Sequence, residues 1–155
     1  MNQDMRERVH QEARRLFESG ITQDSLVESK GTVEPPLPIL DLNQELNSWF
    51  VAITVESRIA GFMQFTTEFV LMRYSTFQRT ASSLEGCPEA PAWLDQSYIL
   101  DAAKTLMADD ELVGEPFLSY DKHPNRIAWA IKHRDRKGEV GTIFVAGGYA
   151  YKSTE

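Results

Sequence analysis

Three histidines and one cysteine are the residues of this chain best suited to metal or nucleophilic chemistry. His10 stands beside Glu7 and Arg14 with no second histidine three or four positions on. His123 and His133 are ten positions apart, on an expected turn and an expected strand end. No HExxH, no CxxC and no paired carboxylate–histidine spacing occurs, so no metal site is predicted. Cys87 lies between Glu85 and Glu89. Nearby carboxylates disfavour the thiolate, so Cys87 reads as a small packed residue and not as a nucleophile. No GxSxG elbow is present. The clustered glycines Gly138, Gly141, Gly147 and Gly148 are followed by strand-like sequence. Phosphate loops and dinucleotide fingerprints need a glycine turn that opens a helix, so both are excluded. The remaining enzymatic reading takes an acid–base set from separated segments: Glu68, Arg73, Asp121 and His123.

Aromatic residues offer a different chemistry. Trp49, Phe65, Tyr74 and Trp129, with His123, are the candidate lining of a pocket for a small apolar ligand. Cys87-Pro88, with His123 or His133 as an axial ligand, raises the haem-like version of that reading. A dipeptide is too short to be specific, and the same aromatics read more simply as core. No cofactor is predicted.

The elements that would position these residues belong to a chain of 155 residues and 17.6 kDa, the size of one domain, 1–155. Hydrophobic residues make up 42% and charged residues 25%, which excludes a disordered or collagen-like chain. Sixteen basic and 23 acidic residues leave a net charge of −7. A nucleic-acid or anionic-membrane surface needs a basic excess, so neither partner is expected. One cysteine suits a reducing compartment, and the charged N-terminal segment lacks the apolar core of a signal peptide. No uninterrupted apolar run approaches the ~18 residues of a membrane span. The expected location is the cytoplasm.

Met5, Val9, Ala13, Leu16 and Phe17 recur at helical spacing, with Gly20 at the stop. Ser25–Ser29 reads as a short strand, and the prolines at 35, 36 and 38 exclude helix there. Alternation from Trp49 to Val55, a tip at Ser57-Arg58 and a resumed pattern from Ile59 predict a hairpin. A further strand follows over 69–78, since β-branched and aromatic residues outweigh the helical spacing in 59–77. Residues 79–93 read as a loop and Leu94–Met107 as a second amphipathic helix. Strands are predicted over 113–120, 126–133 and 139–146, with a bulge or bend at Gly147-Gly148. The resulting expectation is an α+β protein, two amphipathic helices packed on one curved antiparallel sheet of six or seven strands. The halves 1–80 and 94–152 resemble each other in outline, which raises a tandem α-βββ arrangement.

The run Ile99-Leu100-Asp101-Ala102-Ala103, then Phe117-Leu118-Ser119-Tyr120, Ile127-Ala128-Trp129-Ala130-Ile131 and Gly138 to Tyr151 resembles a PepSY-like module. Such modules pair an alanine-rich helix with a three-stranded meander whose tip carries glycine. The resemblance covers about a third of the chain and rests on pattern. It departs at Gly147-Gly148-Tyr149, where the PepSY pattern closes with Asp then Gly. More loosely, a helix on a curved antiparallel sheet is similar to cystatin-like folds, which implies architecture and no activity.

The functional expectation is therefore a non-catalytic binding or protein-interaction module. Its two alternatives are the small-ligand binder and the enzyme built from separated segments. Both faces of the expected strands carry apolar residues, Phe50, Ala52, Val70, Met72 and Tyr74 among them. Either the long loops 21–48 and 79–93 or a second subunit must cover the outer face, and a homodimer is the partner that the second option calls for.

Overall fold

A computed structural model describes residues 3–153. The chain divides into two compact units, 1–38 with 46–90 and 39–45 with 91–155. The first holds helices α1 (Gln3–Glu18) and α2 (Ser25–Lys30) and strands β1 (Thr32–Val33), β3 (Leu46–Val55), β4 (Arg58–Phe65) and β5 (Leu71–Thr76). Strand β2 (Leu37–Leu40) lies where the chain passes from one unit to the other. The second holds α3 (Pro91–Leu94), α4 (Gln96–Met107), β6 (Glu111–Leu112), β7 (Phe117–Tyr120), β8 (Ile127–Arg134), β9 (Val140–Ala146) and β10 (Tyr149–Lys152).

In the first unit α1 forms on the stripe its sequence dictates, burying Val9 and Ala13 against Trp49, Val51, Ile53, Met63 and Phe65. Its end is a Schellman turn. Gly20 takes φ +89°, the Gly20 amide donates to Phe17 O (3.1 Å) and the Ile21 amide to Leu16 O (3.2 Å). The sheet runs β1-β3-β4-β5, all antiparallel. Val55 pairs with Arg58, so the β3–β4 loop is Glu56-Ser57, one position before the expected tip. Both loop residues have positive φ, +51° and +68°, the geometry that matches strand twist in a two-residue hairpin. The other face of β3 and β4 is buried too. Phe50 and Phe62 stack at 4.9 Å, and Gln64 is fully enclosed.

In the second unit β8 is central, in the order β10-β9-β8-β6, with β7 also on β8. α4 buries Ile99, Ala103 and Met107. The Trp129 indole N–H donates to Trp93 O at 2.8 Å. Phe117, Ala128, Ala130 and Phe144 form a further buried cluster. Gly147-Gly148 is a two-residue hairpin loop, with φ +60° and +87°, and not the expected bulge.

The expected fold class is corrected. The described residues hold four helices and two open sheets, not two helices on one curved sheet. Ser25–Lys30 is helix where a strand was expected, because Asp24 caps it and accepts the Val27 amide (3.1 Å). The expected helix from Leu94 to Met107 is α4, begun at Gln96 because Asp95 takes extended backbone and caps it through the Ser97 amide (2.9 Å), and the short α3 falls in the expected loop 79–93. The expected 113–120 strand is cut by Gly114, at φ +78°, and Pro116.

Candidate functional site

Asp24 is the residue around which a cleft in the first unit is built. It is 7% exposed. One carboxylate oxygen caps α2, and the other accepts the Ser82 amide at 2.6 Å. The same side chain thus starts a helix and ties down the loop after β5. Ser25 and Ser82 hydroxyls meet at 3.0 Å beside it. Burial pushes the Asp24 carboxyl up, but the Ser82 and Val27 amides and the Gln78 side chain outweigh burial. The group is held below the ordinary carboxylate range.

This staple leaves a cleft of about 340 Å³ between residues 21–24, the β5 residues Tyr74 and Thr76, and residues 78–81. Its walls carry four hydroxyls, from Thr22, Tyr74, Thr76 and Thr80, and two carboxamides, from Gln23 and Gln78. Thr76 is occupied: it donates to Ala60 O (3.2 Å) and accepts the Gln78 amide (3.0 Å). Gln78 in turn donates to Ser83 O (3.1 Å). Tyr74 Oη and Thr22 Oγ1 are different, being buried without a hydrogen-bond partner. Tyr74 lies along Gly61, where a Cβ would stand 2.5 Å from Tyr74 Oη and from Ser75 O. Burial raises the Tyr74 hydroxyl above its ordinary value and nearby Asp24 adds to the rise. The Thr76 side chain offsets part of that rise. The phenol therefore stays protonated at neutral pH.

The candidate lining residues fall in different places. Trp49 and Phe65 are directly paired across β3 and β4 and fully enclosed in the first unit's core. Tyr74 lines the cleft just described. Trp129 is core of the second unit, and His123 is exposed on its turn. Of the acid–base set, Glu68 and Arg73 belong to the first unit, Asp121 and His123 to the second. Arg73 is occupied with Gln64 Oε1 (2.9 Å) and Ser75 Oγ (3.1 Å). Asp121 is 6% exposed, accepts the Tyr151 hydroxyl at 3.0 Å and lies 3.6 Å from Arg126. Burial and the Asp121 charge push the Tyr151 hydroxyl up to about 12.

Cys87 is 2% exposed, and burial raises its thiol against the opposing pull of Arg58. That makes the thiolate scarce at neutral pH. His10 faces Val33 O (3.2 Å) and Arg14 (3.0 Å). His133 is paired with Asp110 at 2.7 Å. Among the described residues no group of three or more His, Cys, Asp or Glu is placed to hold a metal ion. No helix among them is long and apolar enough to cross a membrane.

Sequence reasoning missed Asp24, Thr22 and the cleft. Six residues of helix are too few for a periodic signal, so Asp24 had no helix to cap. Thr22 and Tyr74 are 52 positions apart, and nothing in either local pattern points to the other. No protein-family model, no curated protein and no solved structure matches the chain, so the cleft's own chemistry carries the functional reading.

Proposed function

We propose that the protein is a non-catalytic binding protein that takes a small molecule in the Asp24–Tyr74 cleft. The observation that carries this is the cleft itself, about 340 Å³ lined by Thr22, Gln23, Tyr74, Thr76, Gln78 and Thr80 and held by the Asp24 tie between α2 and Ser82. The volume, about 340 Å³, sits at the small end of ligand sites. The walls are polar, which favours a polar ligand over the apolar or haem-like one. The enclosed, protonated Cys87, the engagement of Arg73 with Gln64 and Ser75, and that of Asp121 with Tyr151 favour binding over catalysis.

The test is two-dimensional NMR of the ¹⁵N-labelled protein against a small-fragment library. Shifts are expected at residues 22–24 and 74–81. Saturable shifts only elsewhere, or none, overturn the proposal.

A homodimer is the second reading. Val70 is 60% and Met72 46% exposed, beside and on the edge strand β5. Phe50 and Ala52, by contrast, are buried within the single chain and call for no second subunit. Light scattering across a concentration series decides it, with a dimer mass expected and a monomer mass at every concentration excluding it. A reducing compartment, the cytoplasm, fits the single free thiol.

A further inference from the structure

We infer that an extended peptide adds to the open edge of β5 through the backbone of Tyr74 and Thr76, an inference that rests on the binding role proposed above and names what the cleft takes. β5 is the outermost strand of its sheet and pairs on one side only, with β4. Along an antiparallel pair, residues alternate between turning both backbone groups to the neighbour and turning both away. The Phe77 amide donates to Ala60 O at 2.8 Å. The register continues with Gly61 opposite Thr76, Phe62 opposite Ser75 and Met63 opposite Tyr74. Ser75 therefore bonds to β4 as Phe77 does, while Tyr74 and Thr76 turn N–H and C=O out of the sheet edge. Among the described residues no backbone hydrogen bond from outside the sheet reaches either residue.

Two donors and two acceptors, repeating every second residue, are the pattern that another strand matches, and main-chain hydrogen bonds carry the affinity in strand addition. Tyr74 and Thr76 are also the β5 residues that line the Asp24–Tyr74 cleft. The Asp24 tie to Ser82 holds the remaining walls in place before binding, which reduces the ordering cost. The open stretch is short. Gln64 pairs with Arg73 and Phe65 with Leu71, so Met72 is an extra residue and β5 bulges there. An edge bulge opposes long edge-to-edge pairing of folded sheets, and a second copy would bring the same bulge. A free peptide needs only the stretch from Arg73 to Thr76, so it is the occupant that this edge fits.

The experiment follows amide exchange in the ¹⁵N-labelled protein by NMR, alone and with capped pentapeptides in which valine alternates with threonine, lysine, glutamate or glutamine. In the free protein the Ser75 and Phe77 amides are expected to exchange slowly and those of Tyr74 and Thr76 fast. At least one peptide is expected to slow Tyr74 and Thr76 about tenfold or more at saturation. The same peptides N-methylated at every residue cannot donate and are expected to slow neither. Thr76→Pro removes one outward donor and keeps every backbone bond to β4. It should weaken peptide binding about tenfold, and its melting curve shows that it folds. Equal slowing by the N-methylated peptides would overturn the backbone pairing. So would slow Tyr74 and Thr76 exchange in the free protein, caused by a second copy where dilution lifts it and by the chain itself where it does not. No slowing by any peptide, while library fragments shift residues 22–24 and 74–81, overturns the peptide and leaves the binding role standing. No effect there from peptides or fragments overturns both.

Discussion

Tyr74 and Tyr151 occupy matching places, each on an outermost strand of its sheet, β5 in the first unit and β10 in the second. Both hydroxyls are pushed up by burial. The difference is what each oxygen meets. Tyr151 donates to a buried carboxylate, Asp121, at 3.0 Å, and that carboxylate has Arg126 nearby. Tyr74 meets the bare backbone of Gly61 and closes no hydrogen bond. Native proteins pair nearly all their buried polar groups, so an orphan beside a cleft asks for an explanation that a satisfied one does not. Orphans occur elsewhere, at Trp49 Nε1 and Ser119 Oγ, but neither residue lines the Asp24–Tyr74 cleft. The lesson is that a buried tyrosine marks structure when its partner is built in. Where the partner is missing, as at Tyr74, the ring is held by packing and not through its oxygen.

The contrast is tested most strongly by Tyr151→Phe. It removes a hydrogen bond to a charged acceptor and should cost about 1.5–3 kcal/mol in urea unfolding. A loss below about 0.5 kcal/mol would mean that the Asp121 pairing contributes little and the two tyrosines are alike. Next comes Asp24→Ala, which removes the α2 cap and the tie to Ser82 and should cost about 1–2 kcal/mol. Because Asp24 is held below its ordinary range, its contribution is present above the unfolded carboxylate value. It fades as pH falls through the folded value. Asp24→Asn should therefore flatten the acid limb of a melting-temperature profile.

On the alkaline side the sign reverses. Tyr151 is raised to about 12 from 10.0, so its contribution is full below the unfolded value and lost as pH rises toward the folded one. The wild type should lose melting temperature over that window, and Tyr151→Phe should lose less. The smallest effect belongs to Tyr74→Phe, where no hydrogen bond is lost. Its stability should change by less than about 0.5 kcal/mol without ligand, with any trend toward stabilisation. A loss as large as that of Tyr151→Phe would show that Tyr74 has a structural partner and would remove the contrast.

Much of the local structure was legible before the fold. The α1 stripe, Gly20 as its stop, the Trp49–Phe65 hairpin and the Trp129 strand all follow from spacing and turn chemistry, with the first hairpin tip displaced by one residue. The reading failed where a single side chain decided the outcome. Asp24 turned an expected strand into α2, and Asp95 moved the start of the expected second helix to Gln96. Both act through hydrogen bonds to amides two or three residues on, and neither disturbs hydrophobic periodicity. The aromatic residues were correctly seen as apolar, yet their assignment to one pocket had no basis in pattern. Apolarity makes Trp49 and Trp129 core residues without specifying which core.

By itself the sequence determined a mixed α+β chain of antiparallel hairpins, because side-chain period and turn residues act over a few neighbours. It also determined a negative net charge and the want of metal-ligand and nucleophile-elbow motifs. Only the tertiary structure decided that the strands form two sheets, since a strand's partner beyond its hairpin is chosen by packing and not by its own alternation. Tertiary structure alone also brought Thr22 beside Tyr74 and left both hydroxyls unpaired. Whether a polar group is satisfied depends on every neighbour that surrounds it, and those neighbours come from distant parts of the chain.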